Sequence, residues 1–161
     1  MYGIEDEVVI GAPPATVWQW TVEDVERERS WRNLEGKGAQ SLERVDDGPL
    51  AVGSRFRGTV KVGPGAPQAY TNVVTELDDR RLISWETTDA DGPLFGFGSY
   101  VLAPTDGGAR FQIKLAYPAQ SLMGRMQRPV VRFLGARLFI PRMLAKLKTL
   151  IEQEQRSDTA G

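Results

Sequence analysis

Residues 94–117 read LFGFGSYVLAPTDGGARFQIKLAY, and this stretch decides the fold. In its first half Tyr100 and Leu102 share one face, while Phe97 and Val101 share the other. Residues 106–108 are Asp-Gly-Gly, which supply the positive φ angles of a tight reversal. The stretch therefore predicts two strands, near 94–103 and 109–117, joined as an antiparallel hairpin.

The same alternation continues toward the N-terminus, where turn signals rich in Asp, Gly and Pro separate short runs of alternating side chains. These runs predict five further strands, near 4–10, 39–45, 53–62, 68–77 and 81–88. The loops between residues 39 and 117 are too short for parallel crossovers. We therefore expect seven strands in one antiparallel sheet.

Helical spacing flanks this meander on both sides. Pro14 opens a first short helix with Trp18 and Val22 on one face, and a second short helix is expected to carry Trp31. Residues 121–155 return to helical spacing, and we expect the long piece to begin near Pro129 and to break before Pro141. The length of 161 residues predicts one domain, 1–156, with a disordered tail at 157–161.

Several short motifs follow one another along the chain in a recognisable order. Residues 10–18 are IGAPPATVW, an apolar residue followed by Ala-Pro and Val-Trp. The later motifs are VGSRFR (52–57), VTEL (74–77), RLISW (81–85), YVLAP (100–104) and GGARF (107–111). This order resembles the START/polyketide-cyclase superfamily, also written SRPBCC, whose members include polyketide cyclases/dehydrases and lipid-transport proteins and whose helix-grip fold is shared by the birch-pollen allergen.

The resemblance implies an α+β helix-grip fold. In it a seven-stranded curved antiparallel sheet wraps around a long C-terminal helix, with two short helices between strands 1 and 2. Family members of this kind bind hydrophobic or polycyclic small molecules in a cavity between the sheet and that helix. Some of them cyclise or dehydrate polyketides.

The composition excludes several kinds of chemistry. The chain has no cysteine and no histidine, which removes disulfides, thiolate nucleophiles, Ser-His systems and His metal clusters. The acidic clusters lack the spacing of a calcium loop, and no dinucleotide or phosphate-loop fingerprint occurs. We therefore expect no metal and no cofactor. The acidic opening of the sequence is unlike a secretory signal, and we expect a cytoplasmic protein without a spanning helix.

Aromatic side chains on the predicted strands are the leading candidates for a cavity lining. Alternation places Phe56 and Trp85 on the concave face, whereas the strand near 94–103 has aromatic rings on both faces. Trp31 is a lone aromatic in a charged helix and can close one end of the cavity if it docks inward. The candidate ligand-binding residues are Trp31, Phe56, Trp85, Phe97, Tyr100, Tyr117, Phe133 and Ile140.

No acid–base pair stands out in the sequence. Arg55 and Arg57 alternate with Phe56, and this pattern favours a solvated outer face. The speculative alternative is that one of these guanidinium groups points inward and stabilises an enolate or carbonyl, with Tyr100 or Tyr117 as partner.

The preferred function is therefore the binding of a hydrophobic small molecule, either lipid-like or polycyclic. One alternative is a polyketide cyclase or dehydratase that acts on a poly-β-ketone. A second alternative is an interaction module that contacts anionic membranes, because residues 107–151 contain nine basic and no acidic side chains. Nucleic acid is not expected as a partner, since no nucleic-acid-binding signature occurs. The oligomeric state is left open.

Overall fold

An eight-stranded antiparallel sheet is the framework of the molecule. The computed structural model describes residues 2–61, 66–89, 94–117 and 138–161. The strands are β1 (Tyr2–Ile10), β2 (Asn33–Leu34), β3 (Lys37–Arg44), β4 (Arg55–Lys61), β5 (Gln68–Asp78), β6 (Leu82–Asp89), β7 (Leu94–Thr105) and β8 (Gly108–Tyr117). Their order across the sheet is β1-β8-β7-β6-β5-β4-β3-β2, so only β1 pairs with a strand distant in sequence.

The hairpin of residues 94–117 forms as predicted. Thr105 pairs with Gly108 next to the turn, and the register continues without a break to Phe97 opposite Ala116. Gly107 has a φ of 81°, the left-handed conformation that the Asp-Gly-Gly signal indicates. The inner face of β7 is settled as well, because Tyr100 and Leu102 are buried and Val101 is only half-buried.

The sequence predicted seven strands, and the additional strand is β2, which is only two residues long. It pairs with the start of β3 through a turn at Glu35 and Gly36, which have φ values of 54° and 83°. Asn33 Oδ1 accepts a hydrogen bond from Gly36 N at 3.0 Å and supports this turn. A strand of two residues shows no alternation, and glutamate is not a usual turn residue with positive φ, so sequence pattern gave no signal for it.

Two short helices separate β1 from the rest of the sheet, as predicted. They are α1 (Pro14–Trp18) and α2 (Val25–Arg32), and a π-helical turn, Gln19–Glu23, joins them. The Asp24 side chain begins α2 by accepting hydrogen bonds from Glu26 N and Arg27 N at 3.1 and 3.2 Å. The wider π-helical turn brings Thr21 and Val22 toward the sheet, where both are buried.

The C-terminal helix, α3 (Ile140–Ala160), packs against β1, β2 and α2. Pro141 lies in its first turn, where a missing backbone N–H costs nothing. The expected start near Pro129 and the helical spacing of residues 121–137 lie outside the described residues. Residues 157–160, where the sequence predicts a disordered tail, continue the helix, and Thr159 Oγ1 donates to Gln155 O at 2.8 Å.

Polar contacts attach the second half of α3 to the beginning of the chain. Glu152 Oε1 accepts from Gly11 N at 2.9 Å, and Lys148 Nζ donates to Val9 O at 2.7 Å. Glu154 pairs with Arg27 at 2.9 Å and accepts from Trp20 Nε1 at 2.7 Å. These contacts set the distance between α3 and the segment that joins β1 to α2.

Two glycines on the concave face of the sheet support large aromatic rings. A Cβ at Gly58 would lie 2.7 Å from Tyr70 Oη, and one at Gly98 would overlap the Trp85 indole. Each aromatic side chain therefore occupies the space that a Cβ would take. The close approach explains why these strand positions are glycine, although glycine weakens a strand interior.

We expect Gly98→Ala to lower the free energy of unfolding by about 1–3 kcal/mol, because the new methyl group displaces the Trp85 ring. The matched control is Gly3→Ala in β1, where a Cβ would lie 3.7 Å from Leu115 O in ordinary contact. Urea denaturation of both variants measures the difference. Equal stability of the two variants would contradict the close packing of Trp85 on Gly98.

Candidate functional site

A small cavity lies between the concave face of the sheet and the segment that contains the π-helical turn and α2. Its volume is about 30 Å³, room for about two water molecules. Six of its lining side chains are apolar or indole (Val22, Leu42, Phe56, Val74, Ile83, Trp85), and four carry polar groups (Thr21, Glu28, Asn72, Tyr100). The cavity thus has an apolar wall and a polar wall.

The polar wall is built around Glu28, a residue that is only 8% exposed. Its Oε1 atom accepts a hydrogen bond from Tyr100 Oη at 2.8 Å and one from Arg32 Nη1 at 3.1 Å. Glu28 and Arg32 lie one helical turn apart on α2, which is the favourable spacing for an ion pair. We call Glu28, Arg32, Tyr70 and Tyr100 the buried polar cluster.

The titration of this cluster is controlled by burial. Burial raises the pKa of the Glu28 carboxyl, and the Arg32 charge and the Tyr100 hydrogen bond oppose that rise. Desolvation alone would lower the pKa of Arg32, but the oxygens of Tyr100, Tyr70 and Glu28 raise it overall. The guanidinium therefore stays charged and favours the ionised form of its partner. Burial also raises the pKa of both tyrosines, so their hydroxyls remain protonated.

The two tyrosines of the cluster differ in their hydrogen bonding. Tyr100 Oη donates to Glu28, whereas the buried Tyr70 Oη faces the Arg32 guanidinium and makes no hydrogen bond of good geometry with a described residue. Asn72, next on the inner face of β5, accepts from Thr87 Oγ1 at 2.6 Å. Its amide nitrogen makes no hydrogen bond within the described ranges.

An aromatic cluster fills the space beside the cavity. Tyr100 lies at its centre, with ring centroids 4.7 Å from Trp85, 5.1 Å from Phe111 and 6.1 Å from Trp31. Trp31 is fully buried, and its Nε1 atom donates to Trp20 O at 3.2 Å. Trp85 is held only by packing, because its Nε1 atom makes no hydrogen bond with any described residue.

The cavity brings together some of the residues predicted from the sequence. Phe56, Trp85 and Tyr100 line it, whereas Trp31 docks inward behind Tyr100 and contributes to the core. Ile140 is buried on α3, and no described residue of α3 lines the cavity, which therefore lies against the π-helical turn and α2 and not against the C-terminal helix as the sequence predicted. Phe133 and the side chain of Tyr117 lie outside the described part of the chain.

Three of the predicted side chains lie on the wrong face of the sheet for the roles considered above. Phe97 follows the alternation of β7 onto the outer face, opposite to Tyr100, so it does not contact the cavity. Arg55 and Arg57 are exposed on the outer face of β4, because Phe56 and Gly58 occupy its inner face. Neither arginine can stabilise an oxyanion inside the fold.

Sequence reasoning missed Glu28, Arg32 and Asn72. Asn72 was detectable, because it alternates with Tyr70 and Val74 at an inward position where a polar side chain is unusual. Glu28 lies in a helix whose sequence is typical of a charged surface helix. Only its position three residues before Trp31 indicates that it faces inward. In the described ranges, no three acidic side chains converge on a point that would hold a metal ion.

Comparison with known proteins identifies the family. The family model described as "Polyketide cyclase / dehydrase and lipid transport" matches residues 1–152. The chain belongs to this family. The resemblance seen in the motifs is thereby confirmed.

Solved structures of similar fold come from several bacteria. A crystal structure from Nitrosomonas europaea has a TM-score of 0.73 at 16% identity and covers 96% of each chain. One from Thermus thermophilus has a TM-score of 0.71 at 21% identity and covers 95% of this chain and 99% of the other. A Polyketide_cyc-like protein from Corynebacterium glutamicum has a TM-score of 0.65 at 20% identity, with coverage of 95% and 93%.

These similarities confirm the helix-grip architecture of a curled antiparallel sheet around a C-terminal helix. No curated protein matches the chain. No helix in the described ranges is both long and apolar enough to cross a bilayer.

We expect Tyr100→Phe to destabilise the fold by about 1–3 kcal/mol, because the buried Glu28 carboxylate loses a hydrogen-bond donor. Tyr70→Phe is the matched control, since its buried hydroxyl faces Arg32 but makes no hydrogen bond of good geometry with a described residue. Chemical denaturation of both variants should show a larger loss for Tyr100→Phe than for Tyr70→Phe. An equal loss in both would contradict the role of the Tyr100 hydrogen bond.

The raised pKa of Glu28 predicts a pH dependence of stability. Burial raises the pKa from its ordinary value of 4.5, so the folded state binds this proton more tightly than the unfolded state does. The contribution of Glu28 is therefore largest below pH 4.5 and decreases as the pH rises through the folded-state pKa. As the pH rises, the unfolding free energy of the unmodified protein should therefore fall relative to that of Glu28→Gln, by at most about 1.4 kcal/mol per pH unit. A pH-independent difference would contradict the shift.

Proposed function

We propose that this protein binds a hydrophobic small molecule in the cavity between the concave sheet and the segment of the π-helical turn and α2. The observation that carries the proposal is the cavity itself, in which six apolar or indole side chains face a polar wall of hydrogen-bonding groups. Small-molecule sites are typically apolar pockets with a few polar groups that fix orientation. Membership of a family whose description includes lipid transport supports the same function.

A ligand larger than water needs additional space, and Trp85 is the side chain best placed to provide it. Its indole lies over Gly98, lines the cavity and makes no hydrogen bond with a described residue. Trp31, by contrast, is anchored by its hydrogen bond to Trp20 O. We therefore propose that the ligand displaces Trp85 and stacks against Tyr100 and Phe56, while Trp31 stays in place.

The polyketide cyclase or dehydratase alternative is favoured by one observation. Glu28 and Tyr100 form a carboxylate and hydroxyl pair at the cavity wall, which supplies the acid–base groups that the sequence did not reveal. In this alternative Glu28 and Tyr100 replace Arg55 and Arg57 as the candidate catalytic residues. Its test is whether a bound poly-β-ketone gains a ring, as measured by NMR spectroscopy because ring closure alone leaves the mass unchanged, or loses water, as measured by mass spectrometry.

The membrane-binding alternative has less support. Lys146 Nζ donates to Asn33 O and Lys148 Nζ donates to Val9 O, both at 2.7 Å, so these two cations serve the fold. Arg110 faces Glu7 at 3.8 Å. Lys114 and Arg142 are exposed, and the four arginines between residues 125 and 137 lie outside the described part of the chain.

We expect a solvatochromic naphthalene probe to bind the purified protein with 1:1 stoichiometry and to quench the fluorescence of Trp85. Val22→Phe places a ring in the cavity and should weaken binding by about tenfold or more. Fluorescence titration and calorimetry measure the affinity. A Trp85→Phe variant identifies which indole reports on the ligand.

The matched control is Val9→Phe, which adds the same ring at a position that is 52% exposed and away from the cavity. Its affinity should equal that of the unmodified protein. The proposal is wrong if the probe does not bind, or if both phenylalanine variants bind it equally well while remaining folded.

A further inference from the structure

The charge balance of the cavity wall restricts the kind of ligand it accepts. Glu28 is the one charged residue among the described residues that line the cavity, and Arg32 neutralises it from behind at 3.1 Å. The side chains of the pair are 10% and 22% exposed, so water screens them weakly. The site is thus a balanced pair of one negative and one positive charge.

A charged ligand would disturb this balance. A carboxylate placed against Glu28 adds a second negative charge to a site with one cation, and an ammonium group adds a second positive charge. In either case one buried charge remains without a partner, which is far more costly than a buried pair. A neutral polar group leaves the pair intact.

Two hydrogen-bonding groups on the polar wall have no partner among the described residues, and they indicate which neutral polar group a ligand should carry. Both hydrogen bonds to Glu28 reach Oε1, so its Oε2 atom accepts none from a described residue. The Asn72 amide nitrogen is an unused donor on the same wall, as far as the described residues extend. A ligand hydroxyl can donate to Glu28 Oε2 and accept from the Asn72 amide, whereas a ketone can only accept from the Asn72 amide.

From this balance and these two groups, which have no partner among the described residues, we infer that the cavity selects uncharged ligands that carry a hydroxyl, either an alcohol or a phenol on an apolar body, and rejects carboxylates and amines of the same shape. The inference rests on the proposed function and assigns its ligand class. It separates neutral hydroxylated ligands from free fatty acids, which the term lipid would include.

The experiment compares three compounds with one bicyclic body: 2-naphthol, 2-naphthoate and 2-naphthylmethylammonium. Isothermal titration calorimetry at neutral pH should give naphthol an affinity at least about tenfold higher than either charged compound. Naphthoate or the ammonium compound binding as tightly as naphthol would overturn the inference and leave the proposed function standing. Failure of all three compounds and of the naphthalene probe to bind would overturn both.

Glu28→Gln tests the charge argument directly, because it leaves the Arg32 cation without its anionic partner. In this variant the order of the affinities should invert, so that naphthoate binds more tightly and naphthol binds more weakly than to the unmodified protein. Glu86→Gln is the matched control, since Glu86 is exposed on the outer face of β6. An unchanged order in a folded Glu28→Gln protein would overturn the inference. If that variant does not fold, the order of affinities in the unmodified protein decides.

Discussion

The hydrogen bond from Tyr100 to Glu28 ties the middle of the sheet to the helix that covers it. Tyr100 lies in the middle of β7, and Glu28 lies on a helix that is 72 residues earlier in the chain. Together with the packing of Trp31 against Tyr100 and Phe111, this contact positions α2 over the sheet and brings the Arg32 charge into the interior. The polar wall of the cavity, the aromatic cluster around Tyr100 and the inward docking of Trp31 all depend on that placement.

Stability alone does not explain why a carboxylate and a guanidinium are buried here. A buried ion pair contributes little to folding, because removing both charges from water costs about as much as their attraction returns. An apolar pair of similar size would fill the same space. The cluster also keeps a tyrosine hydroxyl that makes no hydrogen bond of good geometry with a described residue, which is a further cost. Such an arrangement is typical of a site that recognises a ligand, since function commonly retains groups that packing would eliminate.

The sheet was largely predictable from the sequence, whereas the polar wall was not. Turn chemistry such as Asp-Gly-Gly fixes where strands end, and alternation placed Phe56 and Trp85 inward correctly, since both signals are local. The face of β7 was undecidable because aromatic rings occur on both sides of it. Glu28 acquires its role only through the tertiary placement of α2, and no local pattern encodes a contact that spans 72 residues. Arg55 and Arg57 were candidates by residue type alone, and alternation, which favoured the outer face, was the better guide.

The connection between the two ends of the chain has a consequence for biosynthesis. The first strand completes its pairing only when β8 is available, and the segment after it is attached to Glu152 and Glu154 near the end of α3. Contacts of such long sequence separation form slowly, because the intervening chain must first be closed into a loop. During translation, β1 therefore has no strand partner until β8 has been made, and Gly11 N and Trp20 Nε1 have no side-chain partner until α3 follows. Closing this edge of the sheet against the last helix is then a late step of folding.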